Sequence, residues 1–199
     1  MRHIAMDIGN VIYHLNIESS FDVTMYELLE EYDKYTYIGL IDFREIYKKY
    51  EELSFPYNEE LDYKYYLNKW NNTIQLNQTM LSFMKDLHKD NVKIALLSNI
   101  GKEHSEVIRS NKELMGIVDI LHFSCEVGAY KPQKLFFQSF LLQNYDYSGC
   151  VFLDDIDENV ESADSFKFQA IKFDLEELSK DPDKLKSTLD KIKYKVLSY

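Results

Sequence analysis

HIAMDIGNV, residues 3–11, is a short apolar run that ends on Asp7 and passes at once into Ile-Gly-Asn. A run of this length bounded by turn residues reads as a buried strand followed by a tight turn. Three later stretches have similar parts. IALLSN (94–99) ends on Ser98, VGAYKP (127–132) carries Lys131, and the apolar part of VFLDDIDEN (151–159) ends on Asp154 and Asp155. In an open parallel sheet, ligands bind outside the carboxyl ends of the strands. Asp7, Ser98 and Asp154, though distant in sequence, are therefore expected at one edge of one sheet. A carboxylate nucleophile, a hydroxyl, an ammonium and an acidic pair are the parts needed to move a phosphoryl group with magnesium.

Around these stretches the chain changes rhythm twice. From about Glu18 to Asn72, apolar residues recur at helical spacing: Phe21, Met25, Leu28 and Tyr32, then Phe43, Ile46, Tyr47 and Tyr50, with Asp42 placed as an N-cap and Glu45 three residues on. Leu61, Tyr65 and Trp70 form a less regular third stretch, and Ser54-Phe55-Pro56 reads as a break. Beyond it, strand and helix alternate. Helices are predicted over 77–89, 102–114, 132–143, 159–167 and 181–196, with Pro132 as the first residue of the third. Strands are predicted over 92–97, 120–124, 150–153 and 170–173. Alternation of this kind argues for a parallel sheet covered on both faces. The predicted fold is α/β, a Rossmann-like parallel sheet with helices on both faces and a small helical cap inserted after the first strand. The core takes residues 1–15 and 75–199, the cap residues 16–74.

The 199 residues, 45% hydrophobic, are enough for a real core. A net charge of -11 repels phosphate backbones and anionic lipid, so neither nucleic acid nor membrane is expected as a partner. No apolar run reaches the roughly 20 residues of a membrane span. Cys125 and Cys150 lack CxxC spacing and read as two small apolar residues of a reduced, cytoplasmic protein. Nothing in the sequence indicates an oligomeric state.

Taken together, in order and with this rhythm around them, the four stretches resemble the motifs of the haloacid dehalogenase-like (HAD) hydrolase superfamily. The resemblance covers most of the length. Asp7-Ile8-Gly9-Asn10-Val11, Leu97-Ser98-Asn99, Lys131-Pro132, and Asp154-Asp155 with Asn159 look closest to a bacterial branch that includes sugar-phosphate phosphatases of the glucose-1-phosphate type. The resemblance implies a magnesium-dependent phosphatase acting on a small phosphorylated metabolite. In it Asp7 attacks phosphorus and forms an aspartyl-phosphate. Asp7, the Gly9 carbonyl, Asp154 and Asp155 ligate Mg2+. Ser98, backbone N–H groups near Asn99, and Lys131 hold the phosphate, while Asn10 and Asn159 support the carboxylates.

One position departs from the pattern. Most superfamily phosphatases carry an aspartate where this chain has Gly9, and that aspartate protonates the leaving group and then activates water. Positioned acid/base catalysis is worth ~10²–10⁴-fold, so the rate is expected to depend steeply on the leaving group. His14 and His104 are the nearby substitutes, each with packing as the simpler role. Two kinds of relative also lack this aspartate. The dehalogenases use no metal, which the Asp154-Asp155 pair argues against. The phosphonate hydrolases recruit a cap lysine, for which Lys34, Lys48, Lys49, Lys64 and Lys69 stand as candidates. The competing expectation is a catalytically weak or inactive relative that binds a phosphometabolite or a protein partner. Ten of the 16 tyrosines fall between residues 26 and 66, most of them expected to pack and a few to line a sugar-sized pocket.

Overall fold

The computed structural model describes residues 2–54 and 62–198; Phe55, Pro56, Tyr57 and Leu61, singled out above, lie outside them. Strand β1 (Arg2–Met6) leads to a short β2 (Tyr13–Leu15), then helices α1 (Val23–Tyr37), α2 (Phe43–Ser54) and α3 (Tyr63–Asn71), and back through β3 (Ile74–Leu76). The rest alternates: α4 (Gln78–Lys89), β4 (Val92–Ser98), α5 (Lys102–Ser110), α6 (Lys112–Met115), β5 (Ile120–Phe123), α7 (Ser124–Val127), α8 (Lys134–Gln143), β6 (Val151–Asp154), α9 (Asp157–Ser165), β7 (Gln169–Lys172), α10 (Leu175–Ser179) and α11 (Pro182–Leu197). A five-stranded parallel sheet runs in the order β5-β4-β1-β6-β7.

Successive side chains of a strand face opposite ways, and here both faces are buried. Ile4 and Met6 of β1, Ile94 and Leu96 of β4, and Val151 and Leu153 of β6 pack with residues of α4 and α11. Ala5, Ala95, Leu97 and Phe152 face the other side, against Phe136, Phe137 and Phe140 of α8 and Ala163 of α9. Continuous apolar runs rather than alternating ones follow from this two-sided burial.

The helical insert has its own core. Met25, Leu28, Leu29, Phe43, Ile46, Tyr47 and Tyr50 cluster with Phe21, Tyr66 and Trp70 around them, and Phe43 lies parallel to Trp70 at 5.4 Å between ring centroids. Asp22 caps α1 by accepting from Met25 N. Asp42 and Glu45 form a reciprocal capping box at the start of α2, Arg44 N donating to Asp42 and Asp42 N to Glu45. The insert leaves and rejoins the sheet through the antiparallel β2–β3 ribbon.

Three local expectations change. The helix predicted over 102–114 breaks at Asn111, whose backbone is extended and whose side chain starts α6 by accepting from Leu114 N. The strand predicted over 120–124 stops at Phe123, and Ser124 opens α7. Pro132 does not begin α8. Both backbone polar groups of Lys131 are engaged by the Asn99 amide, and Gln133 N bonds back to Tyr130 O, so the helix starts only at Lys134.

Candidate active site

The carboxyl ends of β1, β4 and β6 are neighbours in the sheet, and they bring the site together. Asp7 follows β1, Ser98 ends β4 and Asp154 ends β6. Lys131 reaches the same point from the turn before α8. Its ammonium is enclosed between Asp7 Oδ1 at 2.8 Å and Asp154 Oδ2 at 2.6 Å. The lysine is 2% exposed, which rules out a solvated surface role. Its backbone is held as firmly as its head, because Asn99 Nδ2 donates to Lys131 O at 2.8 Å and Lys131 N donates to Asn99 Oδ1 at 2.7 Å. The Asn99 side chain is thus committed to Lys131.

Asp154 is held by three donors, with acceptor capacity left on Oδ2. Asn159 Nδ2 and Ile156 N donate to its Oδ1 at 2.9 and 3.0 Å, and Lys131 takes Oδ2. Asp7 is not: its Oδ1 is buried and, Lys131 apart, has no partner among the described residues. Asp155 stands beside them, and oxygens of Asp7, Asp154 and Asp155 all lie within 4.8 Å of one another. Asn10, a non-glycine residue at φ 49°, faces Asp155 and favours its charged form. Asparagine tolerates that left-handed backbone better than most residues.

Charge at this edge is unbalanced, with three carboxylates around one ammonium. Burial, with Asp154 and Asp155 acting in the same sense, pushes the Asp7 carboxyl up to about 7 against the opposing pull of Lys131. Burial and Asp154 raise Asp155 as well. Burial alone would lower Lys131, but Asp154 and Asp7 outweigh it and hold the lysine charged. A hard divalent cation such as magnesium prefers oxygen ligands. It would supply the missing two positive charges, so the donor set fits one.

Ser98 is 3% exposed and its Oγ has only a long contact, 3.4 Å, to Asn99 O. With Gly9 and Asn99 it lines a cavity of about 90 Å³. The opposite wall comes from the insert and includes Asp33, Thr36 and Tyr37 of α1 and Trp70 of α3. This cavity adjoins an open vestibule of about 770 Å³, within the range of roughly 300–1,000 Å³ usual for small-molecule sites. The vestibule carries Glu18, Glu30, Asp33 and Glu176, and neither lysine nor arginine among its described lining residues.

The two histidines are occupied. His14 lines the vestibule, where Asn77 Nδ2 donates to its Nε2 at 2.9 Å. His104 stacks on Trp70 with ring centroids 4.2 Å apart and bonds Trp70 O at 2.9 Å; burial drops it to about 4, so it is neutral. Tyr37 was legible only as one tyrosine among many. Asp33 had no distinguishing signal in the sequence at all.

No protein-family model matches the chain, and no curated protein matches it. Solved structures do. A HAD family enzyme from Bacteroides thetaiotaomicron, in complex with magnesium and inorganic phosphate, is 18% identical with a TM-score of 0.71, over 86% of this chain and 93% of that one. The chain has the fold of HAD family enzymes. A predicted HAD-like family hydrolase from Porphyromonas gingivalis is 22% identical with a TM-score of 0.67, over 87% and 91%. The L-2-haloacid dehalogenase from Xanthobacter autotrophicus is 14% identical with a TM-score of 0.59, over 86% and 77%. The fold therefore accommodates both a phosphate-binding enzyme and a dehalogenase, and the choice rests on the residues at the strand ends.

Proposed function

We propose that this chain is a magnesium-dependent HAD-like hydrolase of small phosphoric monoesters, working through an aspartyl-phosphate on Asp7. The observation that carries this is the buried Asp7–Lys131–Asp154 chain with Asp155 beside it, an excess of negative charge that a divalent cation would offset so that an anionic phosphoryl group can enter. The magnesium and phosphate bound by the Bacteroides enzyme support it. Asp7 attacks phosphorus in line, which splits one hard displacement into two easier ones. Lys131, fixed at backbone and head, neutralises the oxygens of the transferring group where charge stabilisation is largest. The Ser98 hydroxyl and a backbone N–H at position 99 bond the same oxygens, and Asn159 keeps Asp154 in place. Asp7, Asp154, the Gly9 carbonyl, and Asp155 directly or through water would hold the cation; when bound, it supplies charge neutralisation and orientation of the phosphoryl group. The acidic pair disfavours the metal-free dehalogenase chemistry.

Residues 16–74 act on this reading as a cap that admits small phosphorylated metabolites, a sugar phosphate among them. Tyr26, Tyr37 and Trp70 line the space available to the leaving group. The net charge of -11 disfavours nucleic acid and anionic membrane, and the free thiols of Cys125 and Cys150 accord with a cytoplasmic setting. The test is phosphate release from a panel of aryl, sugar and amino-alcohol phosphates with magnesium and with EDTA. Magnesium-dependent release that Asp7→Asn abolishes supports the proposal. A folded protein that releases nothing from any of them favours instead a binding relative without turnover, the reading that Gly9 supports.

A further inference from the structure

Position 9 is filled from another direction. A Cβ built on Gly9 would lie 3.0 Å from Leu15 Cδ1, so the tip of an apolar side chain from β2 packs against the position where most superfamily phosphatases carry the acid/base aspartate. A proton donor for the leaving group must then come from elsewhere. That donor must stand between the phosphate cavity and the vestibule, because the scissile bond joins a phosphoryl group in the first to a leaving group in the second.

Few residues border both spaces. Among the described residues they are Leu15, Ile17, Leu29, Asp33, Tyr37 and Trp70. Asp33 is the only carboxylate among them. Tyr37, one helical turn further along α1, meets the Asp33 side chain on one side and feels the charges of Asp7 and Asp155 on the other. Asp33 thus meets a side chain that lies within electrostatic reach of the nucleophile. We propose that Asp33, delivered by the helical insert, is the general acid and base that position 9 no longer supplies.

The inference rests on the phosphatase reading above. In the first step an Asp7 oxygen bonds to phosphorus as the bond from phosphorus to the leaving oxygen breaks. The electron pair stays on that oxygen, and the Asp33 carboxyl gives it a proton. In the second step water attacks phosphorus and gives one proton to the Asp33 carboxylate, and Asp7 leaves as a carboxylate. Asp33 returns to its starting state, and the sum is ester plus water to alcohol plus phosphate.

The surroundings suit the role. Leu15, Ile17 and Leu29 give the cavity an apolar wall, and burial raises the Asp33 carboxyl despite the opposing effects of Tyr37 and Lys34. The other titratable groups facing it are Glu30 on its own helix, His104 from α5 across the cavity, and His14, Glu18 and Glu176 around the vestibule. His104 is neutral and bonded, His14 is paired with Asn77, and Glu30 accepts from the Tyr26 hydroxyl. Asp33 is left as the carboxyl at the junction.

The experiment compares wild type and Asp33→Asn on an aryl phosphate and on a primary sugar phosphate, each with magnesium. Aryl oxide leaves without a proton, so the aryl kcat/KM also reports whether the variant is folded. The expected result is a fall of ~10²-fold or more in kcat/KM on the sugar phosphate, as loss of a positioned acid gives. The aryl kcat/KM, which runs only to departure of the aryl oxide, should stay close to wild type, while the aryl kcat falls because hydrolysis of the aspartyl-phosphate has lost its base. The steep leaving-group dependence expected from Gly9 then appears in the variant and not in wild type, and the alkaline limb of the wild-type pH profile on the sugar phosphate is lost. Equal loss of kcat/KM on both substrates, or loss on neither, overturns the role of Asp33 and leaves the phosphatase reading standing. A wild type inactive on both overturns the two together.

Discussion

At the floor of the cavity the lysine and Asp154 are held from several sides. Lys131 is clamped by Asn99 at its backbone and by two carboxylates at its head, and Asp154 is held by Asn159, Ile156 and the lysine. At the roof, Asp33 and Tyr37 belong to a helix whose buried residues pack within the insert's own cluster, and the space around them opens to an acidic, aromatic vestibule. The difference follows from construction. Floor groups sit on the ends of three adjacent parallel strands, whereas roof groups ride on a unit joined to the core by a three-residue ribbon and by side-chain contacts to α5, Trp70 with His104 and Phe43 N with Glu103. On the proposed function, the groups for phosphoryl transfer would sit on rigid backbone and the part that must suit a leaving group where it can vary.

The largest effect should come from the floor. Asp7→Asn keeps the shape and removes the nucleophile, and turnover should drop on the order of 10⁴-fold or more, as loss of a covalent catalytic group does. Steady-state rates on an aryl phosphate check it. Lys131→Met comes next. Breaking a buried ion pair from one side costs ~3–5 kcal/mol, and losing one preorganised donor to a developing charge costs ~10²–10³-fold in rate. Thermal melts should show the destabilisation, and magnesium should recover part of it, since a cation compensates the same carboxylates. If Lys131→Met melts like wild type, the floor is not built as described.

A smaller effect concerns pH in the metal-free protein. An acid whose folded pKa lies above its unfolded one keeps its proton in the folded chain while the unfolded chain ionises. Its contribution is absent below 3.8, becomes increasingly destabilising as pH rises, and is complete above about 7. Stability in EDTA should therefore decline across that window, and Asp7→Asn should flatten the decline. A curve unchanged by Asp7→Asn would mean the carboxyl is ionised throughout. The smallest effect belongs to the roof. Gly9→Asp pushes against Leu15, so it should change the rate little by itself. In an Asp33→Asn background, Gly9→Asp with Leu15→Ala should restore at least ~10-fold on a sugar phosphate, a fraction of what a positioned acid is worth. A large gain in the wild-type background would show that no acid was operating there.

The floor could be read from the sequence because backbone geometry does the positioning. An apolar run followed by a polar residue implies a strand end, and in a parallel sheet strand ends coincide. Asp7, Ser98 and Asp154 needed no knowledge of tertiary contacts. Lys131 was placed by resemblance, and its Asn99 clamp could not be foreseen, because an asparagine after a strand looks like any turn residue. Asp33 was invisible for a similar reason. A carboxylate on an amphipathic helix in a chain with 34 acidic residues is indistinguishable from its neighbours until the helix is docked. The β2–β3 ribbon is three residues a side, too short for a period to show. Asn111 broke a helix by recapping it, a competition between side chain and backbone that spacing does not record.

The central claim is that Asp7 is the atom donor to phosphorus. It is tested most directly by acid-quenching the enzyme during turnover of an aryl phosphate with magnesium and mapping the phosphoryl group by mass spectrometry. The account predicts one phosphoryl group, on the peptide containing Asp7, absent with EDTA and absent in Asp7→Asn. Undiminished turnover by Asp7→Asn, or a phosphoryl group on any other residue, would contradict it.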